Sequence, residues 1–281
     1  MKIGVNTLLW EGAFTTKSIP LLAKVKKLGF DGAELPLFAP DAVDVSAVRA
    51  ALERLGLEPI GCFCFPPEAN PISPDATARA KAVPLLRQII KIVKGLGGAG
   101  IGGPLYAPVG YKPGWPPSTQ EWNWAVKFFK AVTPFAEDAG VTLCIEPINR
   151  FETFFINIAA DGVALCKEVG SPMLKVHLDT FHMNIEEKDT PAAIRLAGKH
   201  LGHFHVSESD RGIPGTGQVD WPGVFKALRH VKYDGWLVIE SFHSSVKEIA
   251  AATCIWRNLA ASPDTIAIEG RKLIKRYLAK R

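Results

Sequence analysis

The chain has 281 residues, 47% hydrophobic and 22% charged, with 25 Gly and 21 Pro. That length can bury a large core, and the composition excludes a collagen-like, a disordered or a disulfide-stapled small protein. The formal net charge of +5 is concentrated at one end: GRKLIKRYLAKR (270–281) carries six Lys/Arg and no acid, leaving 27 Lys/Arg against 28 Asp/Glu in residues 1–269. A nucleic-acid-binding face needs a wider basic field, so no nucleic-acid partner is expected. Leu273, Ile274, Tyr277 and Leu278 place an apolar stripe at helical spacing, which predicts a packed basic helix over about 263–281. The five cysteines (Cys62, Cys64, Cys144, Cys166 and Cys254) form no CxxC pair, as suits free thiols in a reducing compartment. MKIGVNTLLW (1–10) lacks an apolar leader, and no run of about 18 apolar residues would cross a bilayer. A cytoplasmic protein without a membrane partner is expected.

Strand and helix patterns alternate from the first residues onward. KIGVN (2–6) reads as a strand and SIPLLAKVKKLG (18–29) as an amphipathic helix. GAELPL (32–37) precedes the helical VSAVRAALERLG (45–56), and EPIGCFCF (58–65) and AGIGGPL (99–105) are the next strands. QEWNWAVKFFKAVTPFAEDAG (120–140) is helical, VTLCIEP (141–147) a strand and DGVALCKEVG (161–170) a helix. LKVHLD (174–179) and GHFHVSE (202–208) are strands, WPGVFKALRHV (221–231) a helix and WLVIESF (236–242) the last strand. Gly29, Gly56, Gly97, Gly140 and Gly170 each close a helical run, where a left-handed residue is wanted. Eight strand–helix units without a linker predict a single (β/α)8 TIM barrel over 1–281. A doubly wound sheet is disfavoured, because no GxGxxG follows the first strand.

A barrel of this kind places its chemistry at the C-terminal ends of the strands. Glu146, Asp179 and Glu240 end the fifth, sixth and eighth strands and the seventh carries His205, the four spaced by 33, 26 and 35 residues, about one unit each. Three carboxylates converging without a cation would repel and drive their pKa values up. A divalent cation resolves this, and one imidazole with three oxygen ligands suits Mn²⁺, Mg²⁺ or Co²⁺ better than a structural zinc. Glu152, His182, Glu208 and Arg211 offer donors and acceptors for hydroxyls and a carbonyl, although Glu208 and Arg211 would also serve as a loop salt bridge. Trp10, Phe14, Trp115 and Phe242 are candidate stacking platforms for a sugar. GIPGTG (212–217) resembles a phosphate cradle, but without a GK[ST] ending it is better read as a tight loop.

IEPINRFET (145–153), HLDTFHMNIEE (177–187), HFHVSESDRGIPGTG (203–217) and VIESF (238–242) resemble the ketose 3-epimerases of the xylose-isomerase-like barrels. LGFDGAELPL (28–37) and IWRNL (255–259) add support. The resemblance covers most of the chain. It implies Glu146, Asp179, His205 and Glu240 as metal ligands, with Mn²⁺ the expected ion, and Glu146 and Glu240 as the catalytic pair. It implies substrate contacts for Glu152, His182 and Arg211, with Cys62 near the pocket, and a homodimer or homotetramer acting on a free ketose. The sequence departs from the pattern at Asn6, where several members carry an aromatic residue, and in the loops at 66–74 and around Trp115. The expected reaction is epimerisation at C3 through a cis-enediolate, one carboxylate removing the C3 proton and the other returning one to the opposite face, with a Lewis-acidic cation beside O2 and O3. An aldose–ketose isomerase is the alternative in the same superfamily. An apurinic-site endonuclease would need a richer ligand cluster and a basic face, and a non-catalytic sugar-binding module would not need paired carboxylates.

Overall fold

The computed structural model describes residues 1–279 and is a closed parallel barrel whose eight strands pair in sequence order. The strands are β1 (Lys2–Asn6), β2 (Gly32–Pro36), β3 (Glu58–Cys62), β4 (Gly100–Gly103), β5 (Thr142–Ile145), β6 (Leu174–Asp179), β7 (Leu201–Val206) and β8 (Trp236–Ile239), with β1 closing on β8. The helices between them are α1 (Ile19–Lys27), α2 (Val45–Leu55), α3 (Ala76–Leu96), α4 (Thr119–Ala139), α5 (Ala159–Val169), α6 (Thr180–Glu186), α7 (Thr190–Ala197), α8 (Trp221–His230), α9 (Lys247–Ala252) and α10 (Pro263–Leu278). Helices α6 and α9 are short additions that follow β6 and β8 on the loop side, beyond the simple alternation the sequence predicts.

Local chemistry sets the helix ends. Asp44 caps α2 by accepting from the Ala47 N–H, and Ser118 and Glu121 form a reciprocal capping box on α4. Each of the five predicted closing glycines has a positive φ, from +59° at Gly56 to +88° at Gly97. Several strands are shorter than their apolar runs, while β1 and β6 match theirs. β3 stops at Cys62 because Phe63 and Phe65 turn aside to pack edge-to-face, 5.1 Å apart, in the loop beyond it.

The main core lies between the barrel and its helices, where Leu22, Val48, Leu86, Phe129, Phe225 and Ile274 are fully buried. Each such side chain contributes roughly 1.5–3 kcal/mol. Helix α10 seals the ring: Leu273, Ile274 and Tyr277 are buried, Leu278 is half-buried, and Tyr277 stacks on Phe225 with centroids 4.7 Å apart. Its Lys272, Lys275 and Arg276 face solvent, while Lys280 and Arg281, the end of the predicted basic helix, lie outside the described residues. Among the described residues no helix is long and apolar enough to cross a membrane.

Inside the barrel, alternate residues of each strand point inward. On β6 and β7 this layering sets His177 opposite His203 and, one layer higher, Asp179 opposite His205. Gly102 on β4 makes room for the lower layer, since a Cβ there would meet His177 Nδ1 at 3.1 Å and His203 Cδ2 at 3.2 Å.

Candidate active site

Glu146 directly follows β5, Asp179 ends β6 and caps α6, His205 lies on β7, and Glu240 directly follows β8. All are buried, and the fold brings one ligand atom from each within 4.8 Å of the others. His205 Nδ1 lies 3.4 Å from Glu240 Oε2, 3.5 Å from Asp179 Oδ2 and 4.0 Å from Glu146 Oε1. Arg211 reaches in from the loop after β7, its Nη1 donating to Asp179 Oδ2 at 2.7 Å and to Glu240 Oε2 at 2.8 Å. Its guanidinium lies against the rings of Phe181 and Phe242, 4.1 and 4.9 Å from their centroids. Arg211 takes a φ of +63°, which is uncommon for a residue with a Cβ, in the turn closed by its N–H donating to the Glu208 carbonyl. The bonds at the guanidinium hold it there.

The charge balance of this cluster is severe. Burial and then the neighbouring Glu240 push the Glu146 carboxyl well above its ordinary range. Burial would also raise Asp179, but Arg211 and His205 overcome it and hold that carboxyl low. Burial works against a charged His205, yet Glu34 and Glu240 hold its pKa well above the usual imidazole value. Glu146 Oε1 and His205 Nδ1 are both buried without a hydrogen-bond partner, an arrangement that demands an explanation in a folded protein. Two orphaned ligand atoms aimed at one point, beside carboxylate oxygens of Asp179 and Glu240, fit a divalent cation of the oxygen-preferring class.

The open side of the cluster is a cavity of about 190 Å³ lined by Glu146, Glu152, His182, Arg211, Glu240, Cys62 and Phe242, among others. His182 meets a donor at each ring nitrogen, the Asn149 N–H at Nδ1, 3.1 Å away, and Arg211 Nη2 at Nε2, 3.0 Å away, with Glu146 Oε1 3.8 Å from Nε2. Burial and Arg211 push His182 down to about 3, so the ring is neutral. Glu152 Oε1 accepts from Asn149 Nδ2 at 2.8 Å.

Several expected contacts are not made. Trp115 does not line the cavity and is 56% exposed, because its Pro-rich segment runs outward to reach the cap of α4 at Ser118. Phe14 is fully buried in the main core, and Trp10 is tied to Asp264 through its indole N–H at 2.7 Å. Glu208 turns away from the cavity and accepts the N–H groups of Ser209, Gly215 and Val219 and the Trp221 indole N–H. The backbone of GIPGTG is thus organised by a carboxylate of the chain itself, which makes it the tight loop rather than a phosphate cradle.

Beneath the cluster lies a polar layer that single strand ends did not announce. Glu34, fully buried, is 2.8 Å from His203 Nε2 and 3.1 Å from His205 Nε2. Burial would raise the Glu34 carboxyl, but His205 and His203 bring it down to about 2. His177 packs edge-on against His205 with centroids 4.0 Å apart, and burial keeps it neutral. The period of two along HLD and HFH was the legible trace of this layer, since His177 sits two residues before Asp179 and His203 two before His205.

The chain matches the xylose isomerase-like TIM barrel family over residues 22–277 and belongs to it. Within that class it is a member of the ketose 3-epimerases, which are isomerases. It is 34% identical to the L-ribulose 3-epimerase of Mesorhizobium japonicum, over 97% of this chain and 93% of the relative. It is 36% identical to the D-psicose 3-epimerase of Agrobacterium fabrum, over 94% of this chain and 93% of that one. The crystal structure of a Methylomonas D-allulose 3-epimerase in complex with D-allulose superposes with a TM-score of 0.94, at 31% identity, covering 99% of this chain and 97% of that chain.

Proposed function

We propose that this protein interconverts free ketoses that differ in configuration at C3, of the D-allulose/D-fructose, D-tagatose/D-sorbose and L-ribulose/L-xylulose type. The observation that carries this reading is the pair Glu146 and Glu240. They leave strands on different sides of the barrel, β5 and β8, and both open into one buried cavity. Inverting a carbon by proton transfer needs a base on one face and an acid on the other, and two carboxylates flanking C3 supply both. Glu146, Asp179, His205 and Glu240 would hold a divalent cation, with Mn²⁺ the expected ion and Mg²⁺ or Co²⁺ the alternatives, which supplies Lewis acidity toward the ketose oxygens.

The chain's own groups do the rest. One of Glu146 and Glu240 takes the C3 proton, and the other, already protonated, returns one to the opposite face. The configuration of the incoming sugar decides which acts first. His182 and Arg211 stabilise the negative charge that develops on the ketose oxygen and orient the sugar. The free oxygen of Glu152 accepts from a sugar hydroxyl, while Cys62 and Phe242 shape the wall. The relatives named for L-ribulose, D-psicose and D-allulose support a ketose substrate. We place the enzyme in the cytoplasm as a homodimer or homotetramer.

The test is NMR of the Mn²⁺-supplemented protein with D-fructose, D-allulose, D-tagatose and L-ribulose in D₂O. Deuterium at C3 together with the matching epimer is expected. Deuterium at C1 or an aldose product would instead make the enzyme an aldose–ketose isomerase.

A further inference from the structure

Asn6 ends β1, opposite Glu34 in the register of β1 with β2, and its side chain is fully buried. Its Oδ1 accepts the Leu8 N–H at 3.0 Å, capping the short 3₁₀ turn Thr7–Leu9. That bond fixes which way the amide faces. Nδ2 then points at two carboxylates, 3.1 Å from Glu240 Oε1 and 3.4 Å from Glu34 Oε1. Glu240 is therefore gripped at both oxygens, by Asn6 at Oε1 and by Arg211 at Oε2. Glu146 has no such grip, because its Oε1 is unpartnered and His177 Nδ1 stands 3.6 Å from its Oε2.

We propose that Asn6 is a positioning residue: its amide clamps Glu240 in the orientation that proton transfer at C3 requires and keeps Glu240 apart from the buried Glu34. This rests on the reading of Glu240 as one of the two proton-transferring carboxylates. Two carboxylates without a donor between them turn away from one another or share a proton. The Asn6 N–H groups remove that option, and the capping oxygen makes the arrangement rigid. The two halves of the side chain thus have separable jobs, a structural one at Oδ1 and a positioning one at Nδ2.

Asn6→Ser separates them, since a serine oxygen can still cap the Leu8 N–H but carries no group that reaches Glu240. The expected result is a barrel still folded at the assay temperature, a kcat for ketose epimerisation lowered about 10–100-fold with KM moving far less, and Mn²⁺ affinity by calorimetry reduced about as much as kcat, the range seen when a partner of a ligating side chain is removed. A variant with wild-type kcat and wild-type Mn²⁺ affinity overturns the proposal. Should Asn6→Ser melt early, Asn6→Asp decides: it has the same shape and the same capping oxygen without the amide donor, and retained kcat and Mn²⁺ affinity there overturn the clamp. If the unaltered protein epimerises no ketose, the reading of the reaction falls, while the Mn²⁺ titration of the two variants still shows whether Asn6 holds Glu240.

Discussion

Glu146 and Glu240 each enter the cavity from the first position past a strand, and Glu146→Gln or Glu240→Gln removes one proton carrier while keeping the shape. Loss of general acid–base catalysis alone costs about 10²–10⁴-fold, so each variant should fall at least about a hundredfold in kcat for ketose epimerisation. Circular dichroism should show the barrel intact. Full activity in Glu146→Gln would sink the two-carboxylate assignment. The same scale explains which residues were legible in the sequence. Glu146, Asp179, His205 and Glu240 stood out because each lies at or next to the C-terminal end of a strand, and the barrel brings all strand ends to one mouth. Trp115 misled because an aromatic in a loop after a strand can face either way, and the cap at Ser118 drew this one outward. Glu208 misled for a related reason: only the path of residues 209–221 shows that its carboxylate meets N–H groups of its own loop.

That loop is the element through which Arg211 reaches the site. Glu208 is buried and its carboxylate is the common acceptor for donors at Ser209, Gly215, Val219 and Trp221. Stranding buried donors costs about 1–3 kcal/mol each, partly recovered by water and relaxation, so Glu208→Ala should destabilise the protein by about 2–3 kcal/mol in urea unfolding. Burial would raise the Glu208 carboxyl, but those N–H groups overcome it and hold the group below its usual value. A carboxyl depressed in the folded state contributes stability that is full above its unfolded pKa and is lost as pH falls through its folded pKa. Amide protection factors in residues 212–219 should therefore fall on acidification below the ordinary glutamate range, and this acid step should be missing in Glu208→Ala. Unchanged protection at acid pH in the unaltered chain would contradict the role given to Glu208.

At the scale of the whole molecule, a cation held by the buried carboxylates would add to stability. A ligand that binds only the folded state stabilises it by about 2.7 kcal/mol at a hundred times its Kd, which for a domain of this size is roughly 5 °C in Tm. Chelation with EDTA should lower the melting temperature by about that much, and Mn²⁺ should restore it. A Tm indifferent to chelator, with no metal bound after dialysis against Mn²⁺, would mean that Arg211 and the histidines balance the cluster on their own.

The sequence by itself determined the alternation of strand and helix, the glycine-closed helix ends, the packed basic helix at the C-terminal side and the four residues at the strand ends. All of these follow from local periodicity and from where each strand stops. The tertiary structure alone decided that Asn6 would meet Glu240, 234 positions away, and that Glu34 would lie beneath His203 and His205, 169 and 171 positions away. Closure of β1 against β8 and the register between neighbouring strands bring these residues together, and neither has a signature in any short window of sequence. The same closure buries the cluster. Out of water, unpaired ligand atoms and like charges cost far more than they would on a surface, and that cost turns a set of strand-end residues into a site that calls for a cation.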